Sequence, residues 1–556
     1  MKNIYKLFLV SVLMVGTLLN QSCETIELEL LNDPNNLTEG DPQFLLNNIQ
    51  SSYRGSLATF NDRSSELTRI DYMFGRNYFS NYGAGTMNGV WGSLYSTIIP
   101  DIQAIADVAS EDNDVSHFLG IGKVLQAHMI MLMVDFLGDI APMSEAGNPA
   151  EFPLPTPTSD GGASSYADAL ALLDEAIDLL TNGAVNSTVQ DLFYGDNTGG
   201  NSNRGNWIKL ANTLKMRAYL TTGNTSGFNS IVSGGNFIST TADDFEFNYG
   251  TLLAPVNTQH PDYQNDYTSA GANIYQNHWL VNTMMMNDDP RIRYYMTRQN
   301  DCTPGASCNP AGNGETLGCS LQNVPAHLQG TPDEDIWCFL ENGYWGRPHG
   351  NDEGIPPDNF TRTAVGVYPA AGMFDDDTYR NVNLGLGGNG AGIEPILLAS
   401  YVDFWRAEVA LAAGQTGDAA THLQNGLTKS IAKVQSFGSL DSAADLAGFE
   451  PTAGEVTTYI NDMVAAFSAA SGDDQWNILG EQYFVTLYGG GSDAHNFYRR
   501  TGYPNTVSAS IDPNPGNYPR TFLYPSNEVG ANPNFTQRND NNAAVFWNTQ
   551  PLPSSN

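Results

Sequence analysis

Two separate blocks of amphipathic helical sequence, residues 43–221 and 394–508, constrain this chain more than any other feature. The pattern is clearest in residues 165–181, where leucine and isoleucine recur every three or four positions. Ser165 and Asp168 fit a capping box at the start of that helix. Because helices with one apolar face must bury it against neighbours, the sequence predicts an all-α scaffold of packed helical hairpins.

The stretch between the two blocks, residues 222–393, has almost no regular pattern and is rich in Gly, Asn, Pro and aromatic residues. A disordered loop of this length is unusual inside a compact domain. We therefore predict an ordered, loop-rich insert, and a C-terminal coil in the Pro- and Asn-rich residues 509–556. Loops on a rigid scaffold are where binding sites concentrate.

All the cysteines but one lie in the insert, at Cys302, Cys308, Cys319 and Cys338. In an exported chain an even, clustered set of cysteines indicates two disulfides, for which three pairings are open. A zinc site is the alternative, but the cysteines lack the paired C-x-x-C spacing that zinc sites use.

The N-terminus has the pattern of an export signal. Two lysines precede an apolar run at residues 7–19, and Cys23 follows a small serine. The sequence predicts a signal peptide over residues 1–22, lipidation at Cys23, and an anchor and tether over residues 23–42. Plain secretion with a spare thiol at Cys23 is the alternative. No later run of 18 apolar residues exists to span a membrane.

The chain is strongly acidic, with 60 Asp and Glu against 24 Lys and Arg and a net charge of −36. Such a field repels phosphate backbones and anionic membrane surfaces, so nucleic-acid binding is excluded. Strongly anionic polysaccharides are disfavoured as well, unless a local basic pocket overrides the overall charge.

Several segments, spread over nearly the whole chain, resemble one known family. In residues 475–504 two helical patterns meet at three glycines, 489–491, and lead into NFYRRTGYP. The other matching segments are GDIAP at 138–142, WIKLANTLKMRAYL at 207–220, DPR at 289–291, EPI at 394–396 and PRTFLYP at 519–525. Together they resemble the SusD/RagB family of outer-membrane nutrient-binding lipoproteins, and HPDY at 260–263 resembles its second SusD-like branch.

The resemblance implies a tetratricopeptide-like scaffold in a single SusD-like domain over residues 43–556. It also implies a cell-surface lipoprotein of the outer membrane that binds glycan and delivers it to a SusC-like TonB-dependent transporter. Acidic residues after Cys23, at Glu24, Glu27 and Glu29, resemble the surface-export signal of such lipoproteins. Peptide capture by the same class of lid protein stays open, as does, less favourably, a glycoside hydrolase.

Candidate ligand contacts are the aromatic and amide residues of loops, because flat rings stack on sugar C–H faces and amides bind hydroxyls. The candidates are Tyr78, Asn81, Tyr82, Trp279, Trp337, Tyr344 and Trp345. The alternative is that these rings fill a small core within the loops. By contrast, Trp207, Trp405, Trp476, Arg499 and Arg500 lie in helical patterns and are interpreted as structural.

Catalytic motifs are missing from the sequence. It contains no H-E-x-x-H and no G-x-S-x-G. Residues 385–390 spell G-x-G-x-x-G, but no apolar strand precedes them, so a dinucleotide site is rejected. Acidic residues at 375–377 and 352–353 have the oxygen ligands that Ca²⁺ prefers, but solvated turns explain them better. We therefore predict a binding protein without a cofactor rather than an enzyme.

Overall fold

Long helices build both halves of the scaffold. The computed structural model describes residues 40–110, 113–142, 154–184, 189–195, 203–302, 323–338, 342–353 and 358–548. Numbered in chain order among these residues, the helices before the insert are α1 (Pro42–Leu67), α2 (Tyr78–Asn81), α3 (Asn88–Gly92), α4 (Ile99–Asp107), α5 (Ser116–Leu137), α6 (Ala163–Asn182) and α7 (Arg204–Thr221), and α8 (Thr225–Gly234) is the first helix of the insert.

The insert and the second half continue the series. Their helices are α9 (Pro261–Asp266), α10 (His278–Met286), α11 (Ile292–Tyr295), α12 (Ala399–Ala412), α13 (Thr416–Gln435), α14 (Leu446–Phe449), α15 (Ala453–Ala469), α16 (Asp473–Thr486), α17 (Ala494–Thr501) and α18 (Ser526–Ala531). The strands are β1 (Phe245–Asn248), β2 (Met296–Thr297), β3 (Ala364–Val365) and β4 (Ile393–Leu397). The chain is therefore predominantly helical, as the sequence predicts.

Neighbouring helices pack as hairpins, notably α5 with α6 and α12 with α13. In the first pair, a Cβ atom added at Gly120 of α5 would lie 2.6 Å from Cγ of Leu180 on α6. Only a residue without a side chain allows the two backbones to approach this closely, which makes Gly120 a packing residue of the hairpin.

Helix α5 is long and apolar enough to cross a membrane, but 89% of its most apolar window is buried inside the protein. It is the central helix of the first half: His117, Asp135 and nearly every residue between them are shielded from solvent. A helix that is apolar all round and enclosed by protein is a core helix, which explains its composition.

The capping box predicted at Ser165 and Asp168 is wrong. Helix α6 begins earlier, at Ala163, behind Gly162 with φ of +92°, and Ser165 is a buried residue inside it. The Asp160 carboxylate instead accepts hydrogen bonds from the backbone N–H groups of Gly162 and Ser164, both at 3.0 Å. A left-handed residue favours glycine, so this glycine determines where the helix starts.

The insert is tied to the scaffold at its two ends by antiparallel pairing. Strand β1 pairs with β4, so that Asn248 faces Ile393, and β2 pairs with β3 further out. The insert also contains short helices, α8, α9, α10 and α11, that the sequence pattern did not reveal. Short helices of four to ten residues give too few turns for a recognisable period.

The chain from Pro42 to Asn556 forms one compact unit. Its C-terminal part returns to the first half, where the backbone N–H of Phe522 donates to the carbonyl of Phe136 at 2.7 Å. The motif arginine Arg500 holds Glu408 of α12 through two hydrogen bonds of 2.9 Å. The structural interpretation of this arginine is therefore confirmed.

Candidate functional site

The first two predicted ligand contacts, Tyr78 and Tyr82, are buried, with exposures of 0% and 2%. The hydroxyl of Tyr78 lies 3.0 Å from Nε2 of His349, and the Tyr82 ring packs edge-on against Phe522. A ring enclosed by protein has no free face for a sugar. The third candidate in this loop, Asn81, is half-buried.

The four predicted contacts of the insert are also buried, at 5% exposure or less. Indole N–H groups of Trp279 and Trp345 donate to the carbonyls of Thr506 and Thr361, while the hydroxyl of Tyr344 donates to Asp375 at 3.0 Å. Trp337 packs with Trp345 in a separate apolar cluster. These positions agree with the alternative considered from the sequence, in which the rings fill a core within the loops.

We call that cluster the loop core. It consists of Tyr275, Leu328, Trp337, Cys338, Trp345 and Ile511. At its centre the Tyr275 ring lies between two guanidinium groups, 4.0 Å from Arg347 and 3.7 Å from Arg362. Such cation–π contacts are strongest when desolvated, so they add rigidity to a cluster too small to be stable by area burial alone.

Two of the four insert cysteines, Cys302 and Cys338, are disulfide-bonded. The other two, Cys308 and Cys319, lie outside the described residues. Since Cys338 belongs to the loop core, the covalent link and the apolar cluster hold the same part of the insert. The pairing of the four cysteines stays open.

Exposed aromatic rings do occur next to the predicted ones. In residues 72–82, here called the aromatic loop, Phe74 is 58% exposed and Phe79 is 41% exposed. Helix α2 has a single turn capped by Asn77, whose side chain accepts from the N–H of Ser80 at 3.1 Å. This turn buries Tyr78 and directs Phe79 to solvent.

The aromatic loop is held in place by distant parts of the chain. The N–H of Gly350 donates to the Met73 carbonyl at 3.1 Å, and the N–H of Tyr78 donates to the Pro515 carbonyl at 2.9 Å. Arg76 forms an ion pair with Asp352 at 2.5 Å. Gly75 has a φ of +99° and contacts Asn81, so the loop closes on itself. The loop that carries the two exposed phenylalanines is thus held in one conformation.

A groove is lined by sequence neighbours of the loop-core residues, among them Ile336 and Tyr344. Its first part has a volume of about 730 Å³. The second has a volume of about 1050 Å³ and shares Asp288, Asp289, Ile292 and Arg293 with the first. Residues from α10, α11, α14, α15 and the loops around Asp335, Tyr344 and Asp377 line it. We call the two parts together the acidic groove; the predicted residue Tyr344 forms part of its wall.

Arginine side chains in the wall are fixed by aromatic rings and carboxylates. The guanidinium of Arg298 lies 4.6 Å from the Tyr344 ring and 5.2 Å from the Tyr379 ring, and its Nε donates to Asp375 at 2.6 Å. Although burial acts in the opposite direction, hydrogen bonds from arginines hold the pKa of Asp377 below its ordinary value. This part of the wall is therefore rigid and ionised.

Unusual backbone conformations concentrate in the same wall. Among the described residues, seven that are not glycine have a positive φ: Arg69, Asp288, Asn342, Ala371, Asp377, Tyr379 and Asn389. Four of them, Asp288, Asn342, Asp377 and Tyr379, line the groove. Such conformations cost free energy and persist at binding sites when the surrounding structure enforces them. At the groove mouth Met286 is 75% exposed, an adaptable apolar contact.

In the acidic turns considered for Ca²⁺, carboxylates form ion pairs with arginines. Asp377 is bound by Arg293 at 2.8 Å, and Asp352 is bound by Arg76. Within the part of the chain that the structure describes, no group of three or more His, Cys, Asp or Glu residues is placed to hold a metal ion. Trp207 and Trp405 are core residues as interpreted, whereas Trp476 is half-buried and stacks on Tyr503.

Comparison with known proteins gives the same family as the sequence motifs. The SusD-like_2 family model, described as "Starch-binding associating with outer membrane", matches residues 34–331 and 358–525. A search of curated proteins found no match. A SusD/RagB family protein from Bacteroides thetaiotaomicron VPI-5482 shares the fold with a TM-score of 0.63 at 17% identity, over 92% of this chain and 100% of that chain.

Two further structures with the same fold are described as chitin-binding. One, a chitin-binding protein, has a TM-score of 0.62 at 17% identity, over 92% of this chain and 100% of that one. The other is a chitin-binding SusD homologue from Flavobacterium johnsoniae, with a TM-score of 0.59 at 15% identity over 91% and 98%. The family match over most of the sequence and the common fold show that this chain belongs to the SusD/RagB family, in its second SusD-like branch.

Proposed function

We propose that this chain is a surface-exposed lipoprotein that binds an oligosaccharide or polysaccharide and delivers it to a TonB-dependent outer-membrane transporter. The single observation that carries the glycan part is the exposure of Phe74 and Phe79 on a loop fixed by distant contacts. Rings that are already ordered lose little entropy on binding, and their faces match the apolar C–H faces of sugars.

The acidic groove supplies the second part of the binding surface. Residues 342–353 contact both parts: the N–H of Gly350 donates to the Met73 carbonyl of the aromatic loop, and Asn342 and Tyr344 line the groove. In this proposal one glycan chain contacts both. The chitin-binding relatives support a glycan as the ligand class, although at 15–17% identity the likeness itself concerns the fold.

Binding without cleavage is favoured by the carboxylates in the groove wall. A glycosidase needs one carboxylic acid whose raised pKa keeps it protonated next to the scissile bond. Asp377 has a lowered pKa and is held by Arg293. Asp377, the carboxylate beside Tyr344 and Tyr379, is therefore unsuited to be that proton donor.

Delivery to a transporter requires release as well as capture. Each stacked ring contributes about 0.5–1.5 kcal/mol beyond area burial, so two rings give a modest affinity. We propose the transporter partner, the lipid on Cys23 and the signal peptide on the basis of family membership and the N-terminal sequence pattern. Radiolabelled palmitate incorporated by the wild-type chain, but not by Cys23→Ala, would test the anchor.

Affinity gels and titration calorimetry with the mature domain would test the glycan part. We expect Phe74→Ala and Phe79→Ala each to weaken glycan binding about 2- to 12-fold, since one tenfold step is about 1.4 kcal/mol. Phe44→Ala is the matched control, because Phe44 is also exposed, at 68%, but lies on α1. Unchanged retention in the Phe74/Phe79 double variant would contradict the proposal, and tighter binding of peptides than of any glycan would favour the peptide alternative.

A further inference from the structure

The acidic groove contains many carboxylates that no cation neutralises. Six of its acidic side chains are exposed, and among the described residues none forms an ion pair. They are Asp288, Asp301 and Asp335 in the first part and Glu450, Glu455 and Asp462 in the second. The groove thus has a negative charge of its own, beyond the overall charge of the chain.

The two arginines of the groove do not offset this charge. Arg293 and Arg298 face Asp375 and Asp377, with ion-pair distances of 2.8 Å from Arg293 to Asp377 and 2.6 Å from Arg298 to Asp375. Their remaining donors are engaged as well: Nη1 of Arg298 donates to the Asn342 carbonyl at 2.8 Å. The charges of these two arginines and two aspartates cancel. The net charge of the groove therefore comes from the six carboxylates that form no ion pair.

We propose that the acidic groove selects its glycan by charge, so that amine-bearing glycans bind most tightly, uncharged ones less, and carboxylated or sulfated ones least. The inference rests on the glycan-binding function proposed above and specifies its substrate class. The sequence left open whether a local basic pocket reverses the effect of the overall charge. In the groove both arginines are paired with aspartates. The electrostatic potential of the groove is therefore negative, like that of the whole chain.

The size of the effect follows from Coulomb's law. One carboxylate about 6 Å from a ligand charge changes affinity about threefold in a water-like dielectric. Several carboxylates around one concave surface focus the field, which raises the sum above that of isolated surface charges. Because the Debye length falls from about 10 Å at 0.1 M salt to about 3 Å at 1 M, the preference should disappear at high salt.

Three oligosaccharides of equal length provide the test by titration calorimetry at pH 5.5. They are β-1,4-linked oligomers of glucosamine, of N-acetylglucosamine and of a uronic acid; the first two differ only in the N-acetyl groups, which remove the positive charges. We expect the glucosamine oligomer to bind at least tenfold more tightly than the N-acetyl form in 50 mM NaCl. The uronate should bind at least tenfold more weakly, and all three should converge in 1 M NaCl.

Charge-removing variants connect the preference to the groove. Asp288→Asn, Asp301→Asn and Asp335→Asn should each reduce the glucosamine-to-uronate affinity ratio about tenfold, because each carboxylate acts about threefold on the amine and about threefold, in the opposite direction, on the uronate. Asparagine suits the left-handed backbone at Asp288, where φ is +50°, so the fold is kept. Asp178→Asn, an exposed carboxylate on α6, is the matched control and should leave the ratio unchanged.

The outcomes separate this inference from the proposed function. If the neutral oligomer binds but the three affinities are equal, or the uronate binds most tightly at low salt, charge selection is overturned and glycan binding stands. A salt-independent preference overturns it equally. If no glycan binds, or only a lysine-rich peptide does, both the glycan function and this inference are overturned.

Discussion

The guanidinium of Arg217 on α7 contacts the carboxylate of Asp135 on α5 at 2.8 Å, and neither side chain is more than 1% exposed. The same carboxylate accepts hydrogen bonds from Tyr166 at 2.5 Å and Asn496 at 2.7 Å. One buried acid therefore joins α5, α6, α7 and α17, and the motif residue Arg217 acts in the scaffold rather than on a ligand.

Removing this arginine should destabilise the protein severely. Arg217→Met leaves Asp135 buried without its charge partner, a change that typically costs about 3–5 kcal/mol of unfolding free energy. Chemical denaturation followed by circular dichroism measures it. Lys215→Met is the control on the same helix: its partner Asp174 is 65% exposed, so we expect a loss of about 0–1 kcal/mol. Equal losses in the two variants would refute the central role of the buried pair.

Replacing glycine by alanine should change the stability of the protein in opposite directions at two helix positions. Gly120→Ala places a methyl group against Leu180 and should destabilise the protein by about 1–3 kcal/mol through overpacking. At Gly55 of α1 nothing lies within 4 Å of the added carbon. Gly55→Ala should therefore stabilise the protein by about 0.5–1 kcal/mol, from helix propensity. Thermal unfolding of both variants gives the signs, and a stabilising Gly120→Ala would show that α5 and α6 are not closely packed.

Tryptophans of the loop core should affect stability rather than glycan contact. Trp345 is 1% exposed and packs with Trp337, so Trp345→Ala should lower the unfolding free energy by about 3–5 kcal/mol. Phe74→Ala should leave it within about 0.5 kcal/mol, because Phe74 is exposed. Comparing melting temperatures with glycan affinity for both variants separates the roles. A Trp345→Ala protein that melts normally but no longer binds would restore the sequence-based assignment.

Buried histidines should lower the unfolding free energy below about pH 6.5, whereas buried carboxyls whose pKa burial raises, such as Glu394 to about 7 and Asp262 to about 6, act in the opposite direction. Burial lowers the pKa of His260 to about 3 and that of His278 to about 4, against an unfolded value near 6.5. Between those values the unfolded chain binds more protons than the folded one, so the unfolding free energy decreases as pH falls. Each such histidine should remove about 2 kcal/mol at pH 5.

Melting temperatures measured from pH 8 to pH 4 check this linkage. His278→Gln should flatten the acid limb of the profile, because it removes one group that must gain a proton on unfolding. The control His327→Gln changes an exposed residue and should leave the profile as it is. An acid limb that is the same for His278→Gln and the wild type would exclude His278 as a contributor.

Much of the scaffold was predictable because helical periodicity is a local property. Both helical blocks, the ordered insert and the structural role of Arg500 follow from spacing and motif. The predicted start of α6 was wrong. The sequence around Ser165 matches a capping box, but the helix begins three residues earlier, directly after Gly162, whose backbone is left-handed. Exposure of the candidate rings was not predictable: Tyr78 and Tyr82, chosen from the sequence, are buried, and the exposed rings of the aromatic loop are Phe74 and Phe79.

The sequence by itself determined the helical scaffold, the acidic character and the family, since these depend on near neighbours, composition and motif order. Only the tertiary structure decided which of two adjacent rings, Tyr78 or Phe79, is accessible. The reason is physical: Tyr78 is covered by His349 and Tyr518, residues more than 250 positions away in the chain. The same holds for the groove, where Asp375 and Asp377 neutralise Arg298 and Arg293 from 77 and 84 positions further along the chain. Exposure and free charge are properties of packing, which no local pattern encodes.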